Sequence, residues 1–129
     1  MKEAYCSYEI SKLLKEKGFD EECTHYYSYE DGKLIEYTNG VYSRNSKNCN
    51  RCTSPTHQMA CAWLREEYEV YIDIETCYEY TNRNENFKVT GFAFTIHTKD
   101  DPCYEDDNSF DSYEEACEAA LKYVLENSI

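Results

Sequence analysis

Glycine is scarce in this sequence, and long apolar runs are missing. Only 4 glycines occur among 129 residues and none are clustered, so no glycine-rich loop is present to cradle a phosphate. No segment reaches the ~20 apolar residues that a membrane-spanning helix needs. The first residues, Met1 to Cys6, lack the hydrophobic region of a signal peptide. We therefore expect a cytoplasmic protein with no membrane association.

Basic residues are also few. The chain has 13 Lys and Arg against 26 Asp and Glu, and its formal net charge of -13 is spread over every segment. Nucleic-acid-binding proteins gain much of their affinity from Lys and Arg contacts to phosphates, so this chain would be repelled by a polyanion. The charge suits a basic protein surface, mimicry of nucleic acid toward a protein that binds it, or simply the solubility of a tyrosine-rich surface.

Tyrosine, in contrast, is abundant. The 14 Tyr supply most of the 16% aromatic residues, a share that argues against disorder. A chain of 129 residues fits one compact domain, and we find no linker or internal repeat in it. We therefore predict a single domain over residues 1–129.

Three helices are predicted from hydrophobic periodicity and capping signals. The first covers residues 7–17 and stops at Gly18 and Phe19, which suit a Schellman motif. The second begins at Ser54-Pro55, an N-cap followed by proline at the first helical position, and runs to about residue 67. The third covers about 112–127 behind a capping box. Its apolar stripe is predicted to comprise Tyr113, Cys117, Ala120, Leu121 and Val124.

The strands are predicted in two hairpins. Residues 24–42 form the first, with tight-turn dipeptides at Asp31-Gly32 and Asn39-Gly40, and a third short strand in this segment is left open. Residues 70–80 and 87–96 form the second, and Gly91 marks a β-bulge where the apolar alternation changes parity. Residues 43–53 and 97–111 are polar and predicted as loops. The order α-β-β-α-β-β-α predicts a two-layer α+β fold, an antiparallel sheet with helices mainly on one face.

One cluster of cysteine and histidine has a spacing that could bind zinc. Because zinc prefers four tetrahedral nitrogen and sulfur ligands, a CxxC turn followed by two ligands one helical turn apart could supply them. The candidates are Cys49, Cys52, His57 and Cys61, and Cys23 with His25 could replace one pair. The alternative interpretation is that Cys61 is a core thiol, that His57 belongs to a capping turn, and that the CxxC is exposed without a ligand. Most of the 8 Cys are expected as free thiols.

Catalytic constellations are not recognisable in the sequence. Any of three His could pair with a Cys, which is too general to indicate nucleophilic catalysis. Adjacent carboxylates such as Asp106 and Asp107 are typical of solvated loops, and the acidic loop lacks the residue order of an EF-hand. We therefore expect a protein that is not an enzyme and that holds no cofactor unless the zinc hypothesis is correct.

Binding of a protein partner is the leading hypothesis. Tyrosine is enriched at interfaces, and Tyr26, Tyr27, Tyr29 and Tyr37 lie together in the first predicted hairpin. An acidic, tyrosine-rich surface would suit a basic protein, and a homo-oligomer is left open. A third hypothesis is capture of a small ligand in a pocket between Trp63 and the sheet, although Trp63 on an apolar stripe is also typical of a core residue.

Three stretches together resemble a known group of proteins: Tyr8–Phe19, Pro55–Glu66, and Tyr113–Ala116 with Ala119–Leu121. In this order they are similar to a family of small uncharacterised proteins carried by phages and mobile elements of gut anaerobic bacteria. The resemblance implies an accessory protein expressed inside a bacterial cell. It assigns no activity, metal or catalytic residue, and it favours an acidic inhibitor or decoy of a host protein over a zinc protein.

Overall fold

The computed structural model describes residues 3–38, 42–47, 49–81, 86–100 and 103–129. These residues form an α+β structure, which confirms the predicted fold class. In chain order its elements are α1 (Tyr8–Glu16), β1 (His25–Ser28), β2 (Leu34–Glu36), β3 (Arg51–Thr53), α2 (His57–Tyr68), β4 (Tyr71–Thr81), β5 (Asn86–His97), β6 (Tyr104–Glu105) and α3 (Tyr113–Asn127).

The strands belong to two antiparallel sheets instead of one. The first has the order β2-β1-β3 and the second the order β4-β5-β6. Strands β3 and β6 lie inside the segments predicted as loops, so those predictions were wrong there. Both strands pair with residues distant in sequence, since Cys52 lies opposite Tyr27 and Tyr104 lies opposite Ile96. A polar segment without periodicity gives no sign of such pairing.

The predicted turns have different outcomes. Gly32, in the connection between β1 and β2, has a φ of 66°, a left-handed conformation that glycine adopts readily. Asn39-Gly40 lies outside the described residues, and so does the whole connection between β4 and β5. The described helices include none that is long and apolar enough to cross a membrane.

The first helix ends as predicted, whereas the second begins later than predicted. Phe19 N–H donates to Leu14 O at 2.9 Å behind Gly18 at φ 95°, the hydrogen bond that defines a Schellman motif. The N-cap of α2 is Thr56, whose side-chain oxygen accepts from the Met59 N–H at 3.1 Å. Ser54 is instead buried, and its hydroxyl donates to Cys6 O at 2.9 Å.

The core lies where the three helices meet one face of the second sheet. Helix α3 is central, since it contacts α1, α2, β4 and β5. Its residues Leu121, Val124 and Leu125 are fully buried, but Tyr113, predicted on the same apolar stripe, is 52% exposed because it occupies the first turn. The opposing sheet face contributes Phe94 and Ile96, which are buried in the same cluster.

The predicted bulge in β5 is confirmed. Cys77 pairs with Gly91 and the next residue, Tyr78, pairs with Val89, so Thr90 is the extra residue. One inserted residue moves all following side chains of β5 to the opposite face. As a result Val89 lies on the same face of the hairpin as the buried residues that follow the bulge.

Glycine at position 91 is required by a close approach of the chain. A Cβ built there would overlap the Ser109 hydroxyl and lie 3.1 Å from Phe110 O, whose segment is held to β5 by the Phe92–Phe110 bridge. We expect Gly91→Ala to lower the free energy of unfolding by about 2–3 kcal/mol, in the upper part of the range for overpacking, because one of the two close atoms belongs to the backbone. Urea denaturation would measure this.

A matched control is Gly18→Ala. That position has a φ of 95° but has no atom within 4 Å of the added carbon, so only conformational strain of about 1 kcal/mol is expected. Equal losses in the two variants would contradict the close-approach explanation.

Candidate functional site

The structure places the four predicted zinc ligands in different surroundings. Cys49 is exposed, whereas Cys52 is fully buried in β3, which corrects the interpretation of the whole CxxC as exposed. Burial raises the pKa of the Cys52 thiol, although the positive charges of Lys15 and Lys12 oppose the shift. His57 and Cys61 lie on α2. Among the described residues no group of three or more His, Cys, Asp or Glu is arranged to hold a metal ion, so the zinc hypothesis gains no support.

His57 takes part in a partly buried hydrogen-bond network that holds three segments together. Its Nε2 lies 2.8 Å from Glu118 Oε1 on α3, and Glu118 also accepts from the Ser7 N–H at 2.8 Å and the Ser7 hydroxyl at 2.7 Å. Burial alone would raise the pKa of Glu118, but these hydrogen bonds outweigh it and the pKa is lowered. The pair therefore fixes the start of α1 to α2 and α3.

Two thiols lie near the His57–Glu118 pair. Cys61 of α2 and Cys117 of α3 both line a cavity of about 530 Å³. The thiol of Cys117 lowers the pKa of Cys61, assisted by the nearby His57 and Arg65. Hydrogen bonding to Cys61 and burial raise the pKa of Cys117. The sequence indicated Cys117 only as a core residue, because its pairing with Cys61 depends on how α2 and α3 pack.

The tyrosines predicted to bind a partner are mostly engaged within the molecule. The rings of Tyr26 and Tyr37 lie 4.5 Å apart, with the Arg51 guanidinium over both at 4.7 and 5.5 Å. The Tyr27 hydroxyl donates to Cys6 O at 2.9 Å. Tyr29 differs from these, since it is 40% exposed. The first hairpin thus offers less free aromatic surface than its composition suggested.

A larger aromatic surface lies on the second hairpin. We define the aromatic face as the four exposed side chains on one side of the distal half of this hairpin. They are Tyr78, Tyr80, Phe87 and Val89, with exposed fractions of 54, 69, 62 and 45%. The ring centroids of Tyr78 and Tyr80 are 5.6 Å apart, and those of Tyr78 and Phe87 are 6.0 Å apart. Large apolar patches of this kind commonly mark interaction sites.

The aromatic face is the uncovered continuation of the core face. Tyr78 and Tyr80 share their side of β4 with Ile72 and Ile74, which pack against the helices. Because the helices cover only the first half of the hairpin, the same apolar pattern is buried near residue 72 and exposed near residue 80. The alternation of apolar residues along the sequence predicts an apolar face. It does not show how far along the strands the helices cover that face.

The opposite face of β4 is acidic. Asp73, Glu75 and Glu79 are all exposed there. Asp73 pairs with His97 at 2.9 Å, and Glu79 lies opposite Lys88 in the register, so the carboxylates are only partly balanced. In the described part of the chain β4 also has a strand neighbour on one side alone, which leaves an edge of 11 residues.

Trp63 is packed mainly inside the molecule. It is 7% exposed, and its ring makes edge-to-face contacts with Phe19 and Tyr68, each at a centroid distance of 5.3 Å. The tryptophan is therefore a core residue, and the hypothesis of a small-ligand pocket against it gains no support from the packing.

Comparisons with known proteins add no functional assignment. No family model, curated protein or solved structure matches the chain. The resemblance to proteins of phages and mobile elements therefore stays a prediction, and the candidate sites are defined by the structure of this chain alone: the aromatic face with its strand edge, and the cavity with its two thiols.

Proposed function

We propose that this is a non-enzymatic binding protein whose second hairpin takes up an extended, basic segment of a protein partner. The observation that carries the proposal is the aromatic face, where three aromatic rings and a valine lie exposed beside the edge of β4 that no strand of the described residues pairs with. Tyrosine and phenylalanine supply much of the binding energy at protein interfaces.

The edge of β4 supports a specific mode of binding. An edge strand presents unpaired backbone N–H and C=O groups, to which an extended peptide can add as a further strand. Side chains of the added strand would alternate between the two faces of the sheet. Apolar residues would then contact the aromatic face, and the residues between them would meet the side that carries Glu75 and Glu79.

The charge of the chain supports a basic partner. The acidic side of β4 and the net charge of -13 both favour a segment that carries Lys or Arg at alternate positions. Such attraction raises the association rate and is screened by salt. Binding should accordingly weaken as the salt concentration rises, without being abolished, because the aromatic contacts are insensitive to screening.

A synthetic probe can test the proposal directly. The probe is a fluorescent peptide of 11 residues, the length of β4, with lysine alternating with valine or tyrosine. We expect the double variant Tyr80→Ser, Phe87→Ser to lose at least roughly 30-fold in affinity by fluorescence anisotropy, the effect of removing one interface hot spot of about 2 kcal/mol. Circular dichroism should show an unchanged fold, since both side chains are exposed.

The matched control is Tyr29→Ser, which removes the exposed tyrosine of the first hairpin. Its affinity for the probe should equal that of the wild type. A wild-type protein that does not bind the probe would contradict the proposed mode, and a larger loss in Tyr29→Ser would move the interface to the first hairpin.

A further inference from the structure

Two thiols from different helices meet at an open cavity that the proposed binding function does not use. Cys61 lies on α2 and Cys117 on α3, 56 positions apart in sequence, and the two helices are in contact. Both line the cavity of about 530 Å³, whose remaining wall includes Arg65, Ile72 and Tyr113. A small molecule in this cavity can therefore reach Cys61, and the mutual pKa shifts of the two thiols place Cys117 near it.

The two cysteines are unequal in the way that a two-step exchange requires. Cys61 is partly exposed, whereas Cys117 is 3% exposed. A thiolate, not a thiol, attacks a disulfide, and reactive cysteines lie near positive charge where a reagent can reach them. Hydrogen bonding from Cys117 and the nearby His57 and Arg65 lower the pKa of Cys61, while that of Cys117 is raised.

The charges around the pair are mixed. Arg65 and His57 line the cavity on the side of α2, and Glu3 and Glu114 line it from the other segments. The carboxylate of Glu118 is engaged by His57 and Ser7 and sits behind the ring of His57. The ring also has a buried Nδ1 without a hydrogen-bond partner among the described residues, so this polar atom beside the cavity is left unsatisfied by the protein.

We propose that Cys61 and Cys117 form a thiol–disulfide exchange site that accepts a low-molecular-weight disulfide. The Cys61 thiolate attacks one sulfur of the reagent, whose S–S bond breaks, and the departing thiolate takes a proton from water. Cys117 then attacks the Cys61 sulfur of the mixed disulfide and releases the second thiol, which receives the Cys117 proton. Two protein thiols are oxidised to one disulfide between α2 and α3, and the reagent is reduced to two thiols.

The other exposed cysteines lack these features. Cys49 and Cys103 are exposed, and neither lines the cavity. They would react with a disulfide reagent at the surface, away from the two thiols of the cavity. Cys77 is partly exposed, like Cys61, and does not line the cavity either. Replacing Cys49, Cys77 and Cys103 by serine therefore gives a background in which exchange at the cavity can be followed alone.

The experiment uses the Cys49→Ser, Cys77→Ser, Cys103→Ser protein treated with bis(2-hydroxyethyl) disulfide at neutral pH. Mass spectrometry after alkylation should show the loss of two free thiols and a disulfide-linked peptide pair containing Cys61 and Cys117. Adding Cys61→Ser should prevent the reaction at the cavity. Adding Cys117→Ser instead should stop it at a mixed disulfide on Cys61.

A second measurement covers the case in which the Cys117 variant fails to fold. In the wild-type protein, iodoacetamide should label Cys61 faster than Cys103, since a lowered pKa gives more thiolate. A Cys61 that reacts more slowly than Cys103, or a reagent-induced disulfide that joins any other pair, would overturn the proposal. Persistence of both free thiols after treatment would overturn it equally.

Discussion

Replacing Leu121 by alanine should lower the free energy of unfolding by about 2–5 kcal/mol. Leu121 is fully buried in α3, the helix that contacts the other two helices and the second sheet. Truncation would remove apolar contacts and leave a cavity at the centre of the core, where surrounding elements cannot all close in. Urea denaturation followed by circular dichroism would give the change.

Leu34→Ala is the control for this prediction. The leucine lies in β2 and is 41% exposed, so its truncation should change stability by no more than about 0.5 kcal/mol. If the two variants were destabilised equally, α3 would not be the centre of the core.

Removing the carboxylate of Glu118 should have the second large effect. Glu118→Ala would leave His57 Nε2, the Ser7 N–H and the Ser7 hydroxyl without their acceptor in a partly buried site. Removing one partner of a buried charged pair is strongly destabilising. We expect the free energy of unfolding to fall by about 3 kcal/mol, the lower end of the usual range, because 27% of the Glu118 side chain is exposed. Chemical denaturation at neutral pH would measure it.

The same helix pair provides the control. Glu9 of α1 and Lys122 of α3 form an ion pair at 3.0 Å, but their side chains are 61 and 47% exposed. Glu9→Ala should therefore change stability little, because water and salt screen such pairs. A Glu9→Ala loss as large as that of Glu118→Ala would show that burial does not distinguish the two links between α1 and α3.

The contribution of Glu118 to the free energy of unfolding should also decrease as the pH falls. Its pKa in the folded protein is lowered from the usual 4.5, so the folded state favours the carboxylate over the acid. The resulting stabilisation is present above pH 4.5 and disappears as the pH falls through the folded pKa. The stability difference between wild type and Glu118→Ala should therefore shrink in acid, and a difference that grew there would contradict this sign.

The elements that were predictable from the sequence are those with local signals. The end of α1 follows from Gly18 and Phe19, and the start of α3 from Ser112, whose side chain accepts from the Glu115 N–H. The bulge at Gly91 follows from a change of parity between Val89 and the residues after it. Each signal spans only a few residues, so no knowledge of the tertiary structure was needed.

The elements that were not predictable depend on partners distant in sequence. Strand β3 exists because β1 pairs with it, and its buried Cys52 and Thr53 interrupt a segment that is otherwise polar. The start of α2 moved to Thr56 because Ser54 and Pro55 hydrogen-bond to Cys6, nearly fifty residues earlier. Proline is locally favoured at the first helical position, but the contacts of Ser54 and Pro55 with Cys6 keep both residues outside α2.

The candidate sites illustrate the same limit. Composition indicated an acidic, tyrosine-rich protein, and the structure shows that Tyr26, Tyr27 and Tyr37 are largely occupied by internal contacts. The larger free aromatic surface arises where β4 and β5 extend past the helices. The spacing that suggested zinc places His57 and Cys61 on the same side of α2, yet the second thiol in the cavity that Cys61 lines is Cys117, a residue outside that cluster.

Hydrogen–deuterium exchange with the lysine-alternating probe peptide tests the central claim most directly. If an extended segment adds to the edge of β4, the backbone amides of Tyr71–Thr81 should exchange more slowly when the peptide is bound, and those of β1 and β2 should be unaffected. Slower exchange confined to β1 and β2, or unchanged exchange throughout β4 at saturating peptide, would contradict the proposed function.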